Sequence, residues 1–289
     1  MIKHSLLYKI RFICNMLLKE IESFLEEDVG QEDYEEIVPY TECNAEITVK
    51  EEGVLAGLEE VKQIFDYLSV QYSSEFKDGD RIKSGDTILM VRGPGAKVLK
   101  GERLVLNFLG RMSGIATLTR IFINEARKVN GQVKVAGTRK TTPGFRKYEK
   151  KAITIGGGDP HRFGLYEAII IKDNYIHLMG LENAIQKAKE KASFTRKIEV
   201  EVESIEDALH AAELKVDIIM LDNMKPGEVK ECVRLLTERG LREGLILEVS
   251  GGVNLENIQT YAATGVDVVS TGMLTHSARS LGFSMSVVG

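Results

Sequence analysis

The stretch KIEVEVESIEDALHAAELKVDIIMLDN (197–223) decides the fold. It opens on Ile198–Val202, where apolar residues alternate with Glu199 and Glu201, and it closes on Asp217–Leu221, an apolar run ending at Asp222 and Asn223. A helical segment, Ile205–Ala212, lies between them. Two strands joined by one helix form a βαβ unit, and its strands lie parallel in one sheet.

Outward from this unit the rhythm repeats. Short apolar runs at Val133–Ala136, Ala152–Ile155, Ala168–Ile171, Leu245–Val249 and Val266–Val269 bring the expected strands to seven. Helical segments at Glu182–Lys191, Pro226–Arg239 and Asn254–Ala263 alternate with the later strands. Seven strands in series point to an α/β barrel more than to an open sheet, and a barrel places chemistry on the residues just after each strand, at one rim. Those residues are unusual: GTRK (137–140), GGGDPHR (156–162), KDN (172–174), EVE (199–201), LDN (221–223), SGG (250–252) and STG (270–272). Charged or glycine-rich tips on nearly every strand are hard to explain by packing, so the chain reads as an enzyme.

Ahead of residue 113 the character differs. AEITVKEEGVLAG (45–57) and DGDRIKSGDTILMVRG (78–93) alternate around Gly and Asp turns, as in a small antiparallel sheet, with a helix at Glu59–Tyr67 between them. A long helix follows from Lys97–Phe108 into Ser113–Lys128. The expected division is a domain at 1–113, a barrel carrying the site at 114–275, and a final segment, 276–289, returning to the first domain. At the start, Leu7, Ile10, Leu17, Ile21 and Leu25 recur at helical spacing; Lys9, Arg11, Glu20 and Glu22 interrupt the apolar run, so an amphipathic helix is expected rather than a leader.

Composition narrows the function. The chain has 289 residues and a formal charge of −5, with 43% hydrophobic and 28% charged residues, an ordinary globular balance. Its mild acidity argues against nucleic acid as a partner. The longest stretch without a charged residue, Val268–Ala278, is far shorter than the ~20 residues a membrane helix needs. Cys14, Cys43 and Cys232 show no metal-like spacing and fit a reducing cytoplasm.

Charge is segregated along the barrel. From Arg139 to Lys172 eight Lys and Arg face three acids, whereas Glu199 to Asp222 holds eight acids and one Lys. Arg146–Lys151 reads equally well as a solvated helix face. Arg139, Lys140, Arg162 and Lys172 fall at strand ends, where uncompensated cations are costly, and their natural partner is a polyanion such as a carboxylate, phosphate or pyrophosphate. Gly251-Gly252 and Thr271-Gly272 follow the last two strands, where barrels place phosphate sites. Glu201 and Asp222 end successive strands and suit sugar hydroxyls, directly or through Mg²⁺ and its water. His161 reads either as a site residue or as a satisfied structural histidine.

GERLVLNFLGRMSGIATLT (101–119), GTRKTTPGFR (137–146), GGGDPHRFGL (156–165), IIKDN (170–174), IEVEVES (198–204), IIMLDN (218–223), SGGV (250–253) and TGVDVVSTGMLTHS (264–277) together resemble the quinolinate phosphoribosyltransferase family. The resemblance covers about Ala45 to Ser277. It implies a type II phosphoribosyltransferase, an α/β sandwich followed by an open seven-stranded α/β barrel. The implied reaction joins quinolinate to phosphoribosyl pyrophosphate with Mg²⁺, giving nicotinate mononucleotide, pyrophosphate and CO2. By the same resemblance Thr138, Arg139, Lys140, His161, Arg162 and Lys172 hold carboxylates and pyrophosphate, and Glu201 and Asp222 hold ribose hydroxyls or the metal shell. Ser250, Gly251, Gly252, Thr271 and Gly272 surround the 5′-phosphate, and Arg103 enters the site of a neighbouring subunit in a dimer. The chain departs from the family's usual pattern at EEDVGQEDYEE (26–36), at Pro160 before His161, and at Tyr175 after KDN. A molybdenum-transport-associated branch shares that proline but usually lacks the lysine that stands here as Lys172. A non-catalytic sugar-phosphate binding protein is the reading from a third class.

Overall fold

The computed structural model describes residues 16–30 and 41–288. Its internal contacts divide the chain into two units. One takes the described residues up to Leu118 with Lys147–Gly156 and the segment from Ala278 on; the other takes Thr119–Arg146 and Gly157–Ser277. The expected N-terminal helix is seen from Leu18 to Val29, with Ile21 and Leu25 buried; its earlier part and Cys14 lie outside the described residues.

The first unit carries β1 (Glu42–Val49), β2 (Gly53–Val54), β3 (Gln71–Ser73), β4 (Arg81–Ile82) and β5 (Thr87–Pro94), of which β1, β3 and β5 build the expected antiparallel sheet. Along β1 Ala45, Ile47 and Val49 are buried while their neighbours are at least partly exposed, the period of a half-buried strand. The last strand, β12 (Phe283–Val288), pairs antiparallel with β1, giving the order β12-β1-β5-β3, and β2 pairs with β4 apart from it. Helix Gly95–Arg127 is continuous through both segments in which a helix was expected. The returning chain crosses it closely: Leu281 N–H donates to the Gly110 carbonyl at 2.9 Å, and a Cβ on Gly114 would stand 2.0 Å from the Arg279 carbonyl oxygen. Only glycine fits there.

Ala152–Ile155 is not a strand. It lies in helix Arg146–Gly156, which from Lys147 on belongs to the first unit. The β-branched run Ile153-Thr154-Ile155 favours a strand locally, but tertiary contacts override that preference. Tyr148, Ala152 and Ile153 are buried, Glu149 is 2.6 Å from Arg111, and Lys151 is 2.7 Å from Glu60 and 3.7 Å from Asp78. Glu149, Lys150 and Lys151 are therefore buried, which corrects the solvated-face reading of Arg146–Lys151.

The second unit carries a parallel sheet of β6 (Lys134–Ala136), β7 (Ile169–Ile171), β8 (Ile198–Val202), β9 (Ile218–Asp222), β10 (Ile246–Ser250) and β11 (Val268–Ser270). Its order is β6-β11-β10-β9-β8-β7, so the first two strands of the series are the edges. A seventh position beside β6 is held by a one-residue parallel bridge between Ala136 and Asp159. Gly137 N–H donates to the Asp159 carbonyl and Asp159 N–H to that of Val135, both at 2.9 Å. The α/β class with a parallel sheet is as expected; the strand series differs by this bridge standing where Ala152–Ile155 was expected.

Connecting helices cover the sheet by apolar stripes. In Pro226–Glu238, Val229, Cys232 and Leu236 are buried at i, i+3 and i+7, each worth roughly 1.5–3 kcal/mol of burial when the side chain is as large as valine or leucine. Pro226 opens that helix, where its missing N–H leaves no bond unmade. The helix expected at Asn254–Ala263 is shorter, Ile258–Ala262, because the Asn254 side chain accepts from the N–H groups of Glu256 and Asn257 and holds a turn. No helix of the described residues is long and apolar enough to cross a membrane.

Candidate active site

The site residues of the second unit lie on or just beyond the C-terminal ends of its strands. In parallel pairs, in-register neighbours share one face of the sheet, and alternate residues return to it. Ile170 pairs with Glu199, Glu201 with Met220, and Met220 with Glu248, while Asp222 pairs with Ser250. One face therefore carries Glu199, Glu201, Asp222, Glu248 and Ser250. Four carboxylates on one face are unfavourable without cations, and the cations come from the loops.

Arg139 and Lys140 follow β6 and are exposed, with no ion pair among the described residues. Their loop is shaped by Lys140 N–H donating to the Thr138 hydroxyl at 3.1 Å and by the Thr275 hydroxyl donating to the Lys140 carbonyl at 2.6 Å. Lys172, one residue after β7, places its Nζ 2.5 Å from Glu201 Oε2. Burial raises the pKa of Asp222 above the ordinary carboxylate range and the Glu201 charge adds to this, while Lys172 and Lys140 oppose it. Asp222 also accepts from the Asn223 amide at 2.7 Å.

His161 and Arg162 lie deeper. His161 adopts φ 56°, and its backbone N–H donates to Asp159 Oδ1 at 2.8 Å. Its Nε2 is 3.3 Å from Glu248 Oε2 and 3.9 Å from Glu199 Oε2, so the histidine faces the buried acids. Arg162 is buried, and one guanidinium N–H donates to the Ala168 carbonyl at 3.0 Å. Burial and then Arg139 lower its pKa, while Glu199 and Glu201 favour the charged form. Burial, reinforced by Glu248, raises the pKa of Glu199.

The two glycine-bearing loops adjoin this cluster. Gly251 and Gly252 have φ 89° and 62°, and Asn223 N–H donates to the Ser250 carbonyl at 2.9 Å. A Cβ on Gly251 would meet Asn223 Oδ1 at 2.2 Å, so no other residue fits without moving that loop. Thr271 is buried, its hydroxyl donating to the Val253 carbonyl at 2.8 Å, which ties the last two loops together. A Cβ on Gly272 would stand 3.1 Å from Lys140 Cδ and 2.8 Å from His276 Nε2. The expected residues of the barrel thus gather at one rim; Arg103 lies in the other unit, exposed on helix Gly95–Arg127.

Sequence reasoning missed Glu248. Its neighbour pattern, ILEVS (246–250), carries a single acid inside an apolar strand, the same signal that Glu199 gives in β8. It was legible as a buried charge in need of a partner.

Comparison with known proteins agrees with this arrangement. The family described as quinolinate phosphoribosyl transferase, C-terminal domain, matches residues 115–286, and the corresponding N-terminal domain matches 33–113. A probable carboxylating nicotinate-nucleotide pyrophosphorylase of Archaeoglobus fulgidus is 51% identical over 87% of this chain and 96% of its own length. The carboxylating nicotinate-nucleotide pyrophosphorylase of Rattus norvegicus is 38% identical over 92% of this chain and 89% of its own. The crystal structure of NadC from Streptococcus pyogenes superposes with a TM-score of 0.86 at 37% identity, covering 98% of each chain. The chain belongs to the quinolinate phosphoribosyltransferase family.

Proposed function

We propose that the chain is a decarboxylating phosphoribosyltransferase that converts quinolinate and phosphoribosyl pyrophosphate to nicotinate mononucleotide, pyrophosphate and CO2, serving NAD biosynthesis in the cytoplasm. The observation that carries this reading is the rim itself, where Lys172 pairs with Glu201 in a row of carboxylates and the exposed Arg139 and Lys140 have no ion pair among the described residues. In the transfer the pyridine nitrogen bonds to the sugar's anomeric carbon as the bond to pyrophosphate breaks. The sugar passes through cationic character while the leaving group is anionic, and fixed charges of both signs stabilise that separation with little reorganisation. The bond to the ring 2-carboxylate then breaks, CO2 leaves, and the electron pair left on the ring is stabilised by the adjacent pyridinium nitrogen until a proton from water replaces it.

In this reading Thr138, Arg139, Arg162 and Lys172 take the ring carboxylates, with His161 next to Arg162 among the buried acids, and Lys140 takes pyrophosphate. Ser250, Gly251, Gly252, Thr271 and Gly272 surround the 5′-phosphate, a use consistent with positive φ at Gly251 and Gly252. Glu201 and Asp222 would hold the ribose hydroxyls and Mg²⁺, directly or through its water. Two partly exposed carboxylates on adjacent strands are the hard oxygen donors that ion prefers. Bound there, Mg²⁺ neutralises phosphate charge. Arg103 would complete the site of a second subunit in a two-fold dimer, each copy serving the other.

The test is a choice of substrates. With phosphoribosyl pyrophosphate and Mg²⁺ present, quinolinate is consumed and nicotinate is not. Efficient use of nicotinate with no reaction of quinolinate would overturn the assignment.

A further inference from the structure

Beneath the rim, Glu199 and Glu248 are 1% and 3% exposed, and among the described residues each Oε1 has no hydrogen-bond partner. Buried carboxylate oxygens left unpaired destabilise a fold, so packing alone does not account for them. Their other oxygens face His161. That histidine holds a left-handed backbone conformation that a β-carbon disfavours, and it is followed directly by the buried Arg162. Arg162 N–H donates to His161 Nδ1 at 2.8 Å. An Nδ1 that accepts leaves the hydrogen of the neutral ring on Nε2, which points it at Glu248.

We propose that Glu248 is a positioning residue: by accepting from His161 Nε2 it fixes the ring, and the ring fixes the backbone that aims Arg162. The inference rests on reading Arg162 as a cation for quinolinate. The three side chains offer ligand atoms within 4.8 Å of one another, as a metal site would, but an Nε2 that carries the hydrogen has no lone pair for a cation. The arrangement trades stability for orientation. Removing the carboxylate therefore stabilises the protein and loosens the substrate site together, a combination no purely structural residue gives.

The experiment uses full-length Glu248→Met, Glu248→Gln, His161→Ala, the Glu248→Met/His161→Ala double variant and Arg162→Ala. Glu248→Met should melt at or above the wild-type temperature while KM for quinolinate rises about 10-fold or more and KM for phosphoribosyl pyrophosphate changes less than about twofold. Glu248→Gln, whose amide oxygen still accepts from Nε2, should restore most of the quinolinate affinity, and the double variant should be no worse than the poorer single. A lower melting temperature or failure to fold for Glu248→Met, a parallel rise in both KM values, or a glutamine variant as defective as methionine overturns the proposal. If Arg162→Ala leaves KM for quinolinate unchanged, the underlying reading of Arg162 fails; if Arg162→Ala raises it and Glu248→Met does not, only the positioning role fails.

Discussion

Lys172→Ala removes an ammonium that stands 2.5 Å from Glu201 at the mouth of the site. The Lys172 side chain is nearly half exposed, and ion pairs of that kind contribute about 0–1 kcal/mol to stability. The melting temperature should therefore fall by no more than about 2–4 °C. Activity should respond differently, because a charged hydrogen bond to a desolvated anion is worth roughly 1.5–3 kcal/mol, a loss of about 10- to 100-fold in kcat/KM for quinolinate. The pH profile adds a second readout. Asp222 is pushed up by burial and by Glu201, and Lys172 is the largest influence holding it down. Without Lys172 its carboxyl ionises only at higher pH, so the acid limb of kcat/KM moves upward. The assay follows mononucleotide formation across pH with calorimetry on the same protein. Activity within twofold of wild type, an acid limb moved downward, or a fall of more than ~10 °C in melting temperature would refute this reasoning.

Gly251→Ala should nearly abolish turnover and raise KM for phosphoribosyl pyrophosphate, since φ 89° and a 2.2 Å approach to Asn223 leave no space for a methyl group; unchanged kinetics would show that this loop does not shape the phosphate site. Asp78 tests the buried network of the first unit. Burial raises its pKa from 3.8 to about 6, so the folded state holds a proton that the unfolded chain has released. Its contribution is fully present below pH ~4 and is lost as pH rises through about 6, by about 3 kcal/mol, and Asp78→Asn should remove that slope from denaturant melts. Arg103→Ala and Lys140→Ala, each nearly inactive, should recover about a quarter of all sites when unfolded, mixed and refolded as two-fold dimers; no recovery despite subunit exchange would remove Arg103 from the neighbour's site.

The barrel strands were legible where both neighbours in sequence punctuate them, as in Ile198–Val202, whose bounds the structure repeats unchanged. They were not legible at Ala152–Ile155, because β-branched residues there serve a helix held by Arg111, Glu60 and Asp78, residues distant in sequence. The true neighbour of β6 is a single bridge at Asp159, which no pattern of several residues could announce. Rim residues were found because charge at a strand end is locally anomalous. Glu248 carried a local signal, a lone acid in an apolar strand, but its partner could not be read locally, because His161 lies 87 residues away and only the fold brings the two within 3.3 Å.

The most direct test of the account is a single-turnover measurement with quinolinate labelled in its 2-carboxylate, phosphoribosyl pyrophosphate and Mg²⁺. Labelled CO2, nicotinate mononucleotide and pyrophosphate should appear in equal amounts, and omitting phosphoribosyl pyrophosphate should abolish all three. Release of CO2 without phosphoribosyl pyrophosphate, or a mononucleotide that keeps the label, would contradict it.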